Sequence, residues 1–196
     1  CEFCAVQTVF EATQSRRPID QILDEIRALK DEKKLFFFVD DNINSHPELA
    51  AKLYREIRPL GIRWVSQSTI DMAEHPRLMD AMLEAGCLGH VVGFESVDPR
   101  NLRQMRKASN LRRWERYGRQ LKIMREYGLQ TWASFVLGYD FETPASVRET
   151  ADFALDCRFT FAAFNILMPY PNTPMYRRLD EEGRLLYDGK WWLHPD

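Results

Sequence analysis

A partial (β/α)6 barrel of parallel strands, TIM-like and truncated at its first strand, is the fold class this sequence predicts, and two observations carry the prediction. Apolar, β-rich runs recur at residues 35–39, 62–65, 90–94, 131–137 and 161–168, separated by stretches of helical pattern. Strict alternation of strand and helix requires parallel strands, because each crossover returns the chain to the same end of the sheet. The punctuation agrees. Pro18, Pro47, Pro76, Pro144 and Pro174 stand where a first helical turn tolerates proline, and Gly61, Gly86, Gly128 and Gly183 stand where helices stop. Five visible strands, with a sixth expected just ahead of Cys1, are too few for an eight-unit barrel of ~250 residues. An open doubly wound sheet uses the same right-handed βαβ units and remains the competing architecture.

Each element has its own justification. From Pro18 onward, Ile19, Ile22, Leu23, Ile26 and Leu29 share one helical face, while Asp24, Glu25, Arg27 and Lys30 fall largely on the other. Residues 35–39 are the longest apolar run, strand-sized and far short of a membrane span. Helices opening at Pro47 and Pro76 close at Gly61 and Gly86 and lead into the second and third strands. The basic stretches 100–107 and 112–119 read as a solvated helical face. Trp114, Tyr117, Leu121 and Met124 form a core-facing stripe before Gly128 and the fourth strand. Helices at Pro144 and Pro174 flank the fifth. Residues 1–183 make the barrel core, and 184–196 the beginning of a C-terminal extension.

With 196 residues, 45% of them hydrophobic, the chain buries a real core, and its net charge of −2 gives no broad positive field to attract nucleic acid. Four cysteines, two in the opening motif and two scattered at Cys87 and Cys157, do not form a disulfide framework and favour a reducing, cytoplasmic setting. The chain opens inside a motif without an initiator Met and reads as a piece of something longer.

In both architectures chemistry belongs at the carboxyl ends of the strands, and these are unusually polar. They carry Asp40-Asp41-Asn42, then Gln67 and Ser68, Gly93-Phe94-Glu95-Ser96, Gly138-Tyr139-Asp140, and Pro169-Tyr170-Pro171. Asp140 reads as a turn former. Glu95 caps nothing and has no base beside it in sequence. Asp40 and Asp41 point to opposite sides of an extended chain, one to the mouth and one to a helix start. Gly93 and Gly138 mark a bulge, a close approach of backbone to ligand, or a tight turn. His46, His75, His90 and His194 have no mutual ligand spacing. Lys107, near the rim, is placed to meet an anionic group. Cys1-Glu2-Phe3-Cys4 is a CxxC, a spacing shared by iron–sulfur, zinc and thioredoxin-like sites.

Together these residues resemble the radical S-adenosylmethionine superfamily, whose signature is CxxxCxxC with an aromatic before the last cysteine. Cys1, Phe3 and Cys4 match its second half; the first cysteine falls four positions ahead of Cys1. Asp40-Asp41-Asn42, Gly93-Phe94-Glu95-Ser96 and Pro169-Tyr170-Pro171-Asn172-Thr173-Pro174 resemble the subgroup that also carries a cobalamin-binding domain. The subgroup more often has Gly at the position of Asn172, where Asn tolerates positive φ. Phe135-Val136-Leu137-Gly138 resembles the strand that borders adenine. The resemblance implies a 4Fe-4S cluster on Cys1 and Cys4, S-adenosylmethionine on its open iron, and reductive cleavage to a 5′-deoxyadenosyl radical. By the same resemblance Phe3, Asp40, Asp41, Asn42, Gln67, Gly93, Glu95, Ser96, Leu137 and Gly138 bind the cofactor. It further implies cobalamin held by an upstream domain, methyl transfer, and an electron donor such as ferredoxin or flavodoxin.

The residues alone leave two other readings open. One is a cluster-free barrel lyase or aldolase using Asp40, Asp41 and Glu95; the other is a zinc-knuckle interaction module needing two further ligands. The substrate, small-molecule or lipid-like, is not specified; Trp64, Trp132, Phe164, Trp191 and Trp192 are candidates for an apolar pocket.

Overall fold

The computed structural model describes residues 1–10, 13 and 15–194. Its sheet contains five strands, β1 (Phe36–Phe38), β2 (Trp64–Ser68), β3 (Cys87–Glu95), β4 (Gln130–Leu137) and β5 (Phe161–Ile166), in the spatial order of the sequence. Every pair is parallel, with Phe36 opposite Trp64, Val65 opposite Gly89, Gly93 opposite Ser134, and Phe135 opposite Phe164. A doubly wound sheet reverses its strand order at a switch point. No reversal occurs among the described strands, so all crossovers step the same way and the sheet curls as part of a barrel.

The crossovers are α3 (Pro47–Ile57), α4 (Pro76–Glu84), α7 (Tyr117–Glu126) and α8 (Pro144–Asp156); a one-turn α1 (Val6–Val9) and α2 (Ile19–Leu29) precede β1, and α9 (Pro174–Glu181) follows β5. Between β3 and α7 run the short α5 (Pro99–Gln104) and α6 (Ala108–Leu111). Four of the five prolines sit in the first turn as expected; Pro18 instead occupies the N-cap, with an extended ψ of 141°. The stop glycines 61, 86, 128 and 183 all have positive φ.

The helix-facing side of the sheet carries the core. Trp64 is fully buried, stacked on Tyr54 at 5.2 Å, with its indole N–H donating to the Ala85 carbonyl at 2.9 Å. It therefore lines no pocket. Phe94 centres an aromatic cluster with Tyr117, Phe135 and Phe159. Leu23, Ile26, Tyr117, Leu121 and Met124 are buried in this core, with Trp114 packed against it, as their helical spacing requires.

Candidate active site at the carboxyl rim of the sheet

The loop Cys1-Glu2-Phe3-Cys4 is fixed on two sides. The Glu2 N–H donates to the Met105 carbonyl at the end of α5 at 2.9 Å, and the Met175 N–H in the first turn of α9 donates to the Glu2 carbonyl at 3.0 Å. The Glu2 side chain is buried and accepts from the Arg178 guanidinium at 2.8 and 3.4 Å. Cys1 and Cys4 are half-buried free thiols. Phe3 meets Tyr139 edge to face at 6.3 Å and packs against a second apolar cluster of Leu102, Met105, Val136, Tyr139 and Met175.

At the end of β3 the register slips between Gly93 and Glu95, and Glu95 takes φ +65°. Such a conformation disfavours a residue with a Cβ and persists only where its surroundings impose it. Asn110 imposes it here: its amide donates to the Gly93 carbonyl at 2.8 Å and the Phe94 carbonyl at 3.0 Å. The Glu95 carboxylate accepts a short hydrogen bond from Lys107, with both side chains nearly buried. Glu95 is thus partnered by a base twelve residues on, which local sequence does not reveal. A Cβ on Gly93 would collide with the Glu95 carboxylate and approach the Lys107 ammonium to 2.9 Å, so this glycine makes room for the ion pair. Ser96, also buried, accepts from the Asp98 N–H at 3.0 Å, and Asp98 caps α5.

The remaining rim residues divide. Asp40 and Asp41 are both exposed; α3 starts later, behind His46, so neither aspartate opens a helix. The loop is instead organised by Asn42, whose side-chain oxygen accepts from the Asn44 N–H at 3.1 Å and the Ser68 hydroxyl at 3.3 Å. Gln67 and Ser68 are the last two residues of β2. After β4, the Leu137 carbonyl accepts from the Leu167 N–H at 2.8 Å, and Gly138 at φ +116° donates its N–H to the Glu142 carboxylate. Burial holds the Glu142 carboxyl above its usual range, against the pull of that hydrogen bond. Asp140 is more than a turn former: Arg184 pairs with it at 2.5 Å and, with Gln104, holds its carboxyl below the usual range.

Tyr139 joins the two halves of the rim. Its phenol is raised first by burial, then by the Glu2 carboxylate, with Glu95 adding to the rise. Phe3 of the cysteine loop packs edge to face on Tyr139, and β4, which Tyr139 follows, pairs with β3 up to Glu95. Asp40 and Asp41, after β1, and Gln67, near the end of β2, lie further along the same carboxyl rim. Glu2, Asn110 and Arg178 escaped sequence reasoning; the one signal available was the charge of Glu2 between two cysteines.

The donor set suits an iron–sulfur centre. Cys1 and Cys4 are in no disulfide and lie at the rim, where a cluster would stay open to a ligand, and thiolates are its usual donors. Among the described residues no three His, Cys, Asp or Glu side chains gather, so these form no closed zinc site. The sequence profile of the Radical SAM superfamily matches residues 1–154. The chain belongs to that superfamily. As a radical SAM chain it is 31% identical over 188 residues to bacteriochlorophyllide d C-12(1)-methyltransferase of Chlorobaculum tepidum, covering 94% of this chain and 41% of that protein. It is 26% identical over 196 residues to hopanoid C-2 methylase of Rhodopseudomonas palustris, covering 96% and 37%. The chain thus spans about two fifths of the length of these curated relatives. Among solved structures it matches the radical S-adenosylmethionine methyltransferase TsrM of Kitasatospora setae, with cobalamin and a 4Fe-4S cluster bound. That match has a TM-score of 0.69 at 21% identity and covers 87% of this chain and 35% of that one. SuiB of Streptococcus suis bound to S-adenosylmethionine matches with a TM-score of 0.61 at 15% identity, covering 93% and 43%.

Proposed function

We propose that this chain is the core of a radical S-adenosylmethionine methyltransferase that holds a 4Fe-4S cluster and works with cobalamin carried by another domain of the same protein. One observation carries the reading: the CxxC loop packs through Phe3 on Tyr139, just past the carboxyl end of β4, and β4 pairs with β3 up to Glu95. The family match supports the cluster and the sulfonium cofactor; the two methylating relatives and the cobalamin in TsrM support methyl transfer. Residues 1–183 are the core, and the segment from 184 begins a C-terminal extension.

Cys1 and Cys4 supply two thiolates; the third belongs four positions ahead of Cys1. With a cluster held there, the chemistry supplied would be one-electron reductive cleavage of a carbon–sulfur bond of S-adenosylmethionine, with methionine as the leaving group. The chain's own residues position and shield. Phe3 covers the loop with its ring. Asp40, Asp41 or Asn42 accepts from the methionine ammonium; the exposed aspartates have free lone pairs, whereas the Asn42 oxygen is already engaged. Glu95, Ser96, Gln67 and Gly93 border the ribose and methionine end, and Leu137 with Gly138 borders adenine. A reduced ferredoxin or flavodoxin delivers the electron, the substrate is a small or lipid-like molecule, and the site operates in the cytoplasm. Among the described residues no helix is long and apolar enough to cross a membrane.

The test is anaerobic purification of the full-length polypeptide, followed by assay of iron, sulfide and S-adenosylmethionine binding. Wild type should be brown; Cys1→Ala and Cys4→Ala should lose iron. Glu95→Gln should keep its iron and bind S-adenosylmethionine at least tenfold more weakly, about 1.4 kcal/mol. Colourless, metal-free wild type would instead favour acid–base chemistry by Asp40, Asp41 and Glu95.

A further inference from the structure

We infer that Glu2 and Arg178 form a positioning pair that fixes the cysteine loop and sets the local charge, and hence the reduction potential, of the centre the loop holds. The inference rests on the cluster reading above. Glu2 stands between the two cysteines, one residue from the first and two from the second, and is only 3% exposed. A buried carboxylate among thiolates has the unfavourable sign at a centre that must accept an electron. The Glu2 N–H and C=O tie the loop to Met105 and Met175, and its carboxylate adds a third tie, to Arg178. The carboxylate makes the environment of the loop depend on α9, through Arg178.

Arg178 is itself held in place. Its guanidinium reaches Glu182 at 3.3 Å and Asp140 at 3.7 Å, and Asp140 is anchored by Arg184 and Gln104. The cysteine loop, the turn after β4 and α9 with the residues that follow it therefore share one ionic network, to which α5 adds the neutral Gln104 amide. Groups behind metal ligands orient them and tune the metal, and the potentials of iron–sulfur centres follow net charge, hydrogen bonding and solvent exposure. The Glu2 side chain is only 3% exposed, so its charge acts through little screening, whereas Arg178 and its partners Asp140 and Glu182 are partly open to solvent.

The signs are opposite for the two partners, and that separates charge setting from mere support. In the full-length polypeptide, reconstituted with iron and sulfide without oxygen, the cluster potential is measured by mediated titration for wild type, Glu2→Gln, Arg178→Met, Arg178→Lys and the double variant Glu2→Gln/Arg178→Met. Glu2→Gln should shift it upward and Arg178→Met downward, with Arg178→Lys and the double variant near wild type. Iron lost from Arg178→Met and restored in Arg178→Lys, at unchanged circular dichroism, also supports the pair. Unshifted potentials with full iron, shifts of the same sign in both single variants, or iron loss in Arg178→Lys as well as Arg178→Met would overturn it. Wild type that retains no iron overturns the cluster reading and the inference with it, whereas iron-replete variants without shifts overturn the inference alone.

Discussion

Gly93 and Glu95 act as one unit. The missing Cβ of Gly93 is the space in which Lys107 reaches the Glu95 carboxylate, and the left-handed backbone of Glu95 turns that carboxylate over the strand end. Gly93→Ala should therefore force the ion pair apart. The expected cost is about 1–3 kcal/mol of stability, typical of inserting a methyl group into a filled site, with weakened S-adenosylmethionine binding as the second readout. Urea unfolding checks the first and equilibrium dialysis the second; an alanine variant indistinguishable from wild type in both would remove Gly93 from the site. What was legible at this scale is whatever the backbone itself demands: glycine at 138, where φ is +116°, and asparagine at 172, where φ is +64°. Unread were the partners. Glu95 and Lys107 are twelve residues apart and Glu2 and Arg178 are 176, so each pair exists only once the chain has folded.

The strands explain why the site residues diverge in environment. Along β3, alternate side chains face opposite sides, so His90, Val92 and Phe94 enter the helix-facing core while Val91 and Gly93 face the other side of the sheet. His90 is fully buried, its Nδ1 without a partner among the described residues and its Nε2 3.4 Å from the Cys87 Sγ. Burial pushes the imidazole down to about 4 and the Cys87 thiol up to about 12. In the unfolded chain a histidine titrates near 6.5. Between these values the unfolded state binds a proton that the native state does not, so stability falls as pH drops from 6.5 toward 4 and is constant above that window. The loss attributable to His90 is of order 3 kcal/mol across the window. His90→Gln removes this titration, so its unfolding free energy should change less between pH 7 and pH 4.5 than that of wild type. Equal slopes in urea titrations would show that other groups control the acid limb. Element order and type were readable from periodicity, because proline starts and glycine stops are local. Strand ends were not: β2 runs on through Gln67 and Ser68, whose hydroxyl bonds the Asn44 amide at 2.9 Å only after the loop behind β1 has folded back.

At the scale of the molecule, the sheet's two flanks matter most. Strand order β1-β2-β3-β4-β5 leaves β1 and β5 each paired on one side only among the described residues. Apolar side chains stay exposed at both: Phe37 and Val39 at the β1 flank, Phe161 and Ile166 on β5. The chain exposes 12095 Å², whereas a compact monomer of its mass, 23.1 kDa, is expected to expose about 9,700 Å² by size scaling. Parallel sheets are normally covered on both faces, and an apolar strand edge offers unpaired N–H and C=O groups to any chain that can add a strand. The 196 residues expressed alone should therefore associate edge to edge, giving a scattering mass that rises with concentration. Lysine on an edge strand opposes such pairing because it cannot be buried against a second copy. Phe37→Lys combined with Ile166→Lys should return the mass to that of a monomer with unchanged circular dichroism. A wild-type chain that stays monomeric across the concentration series would show that curvature of the sheet alone protects both edges.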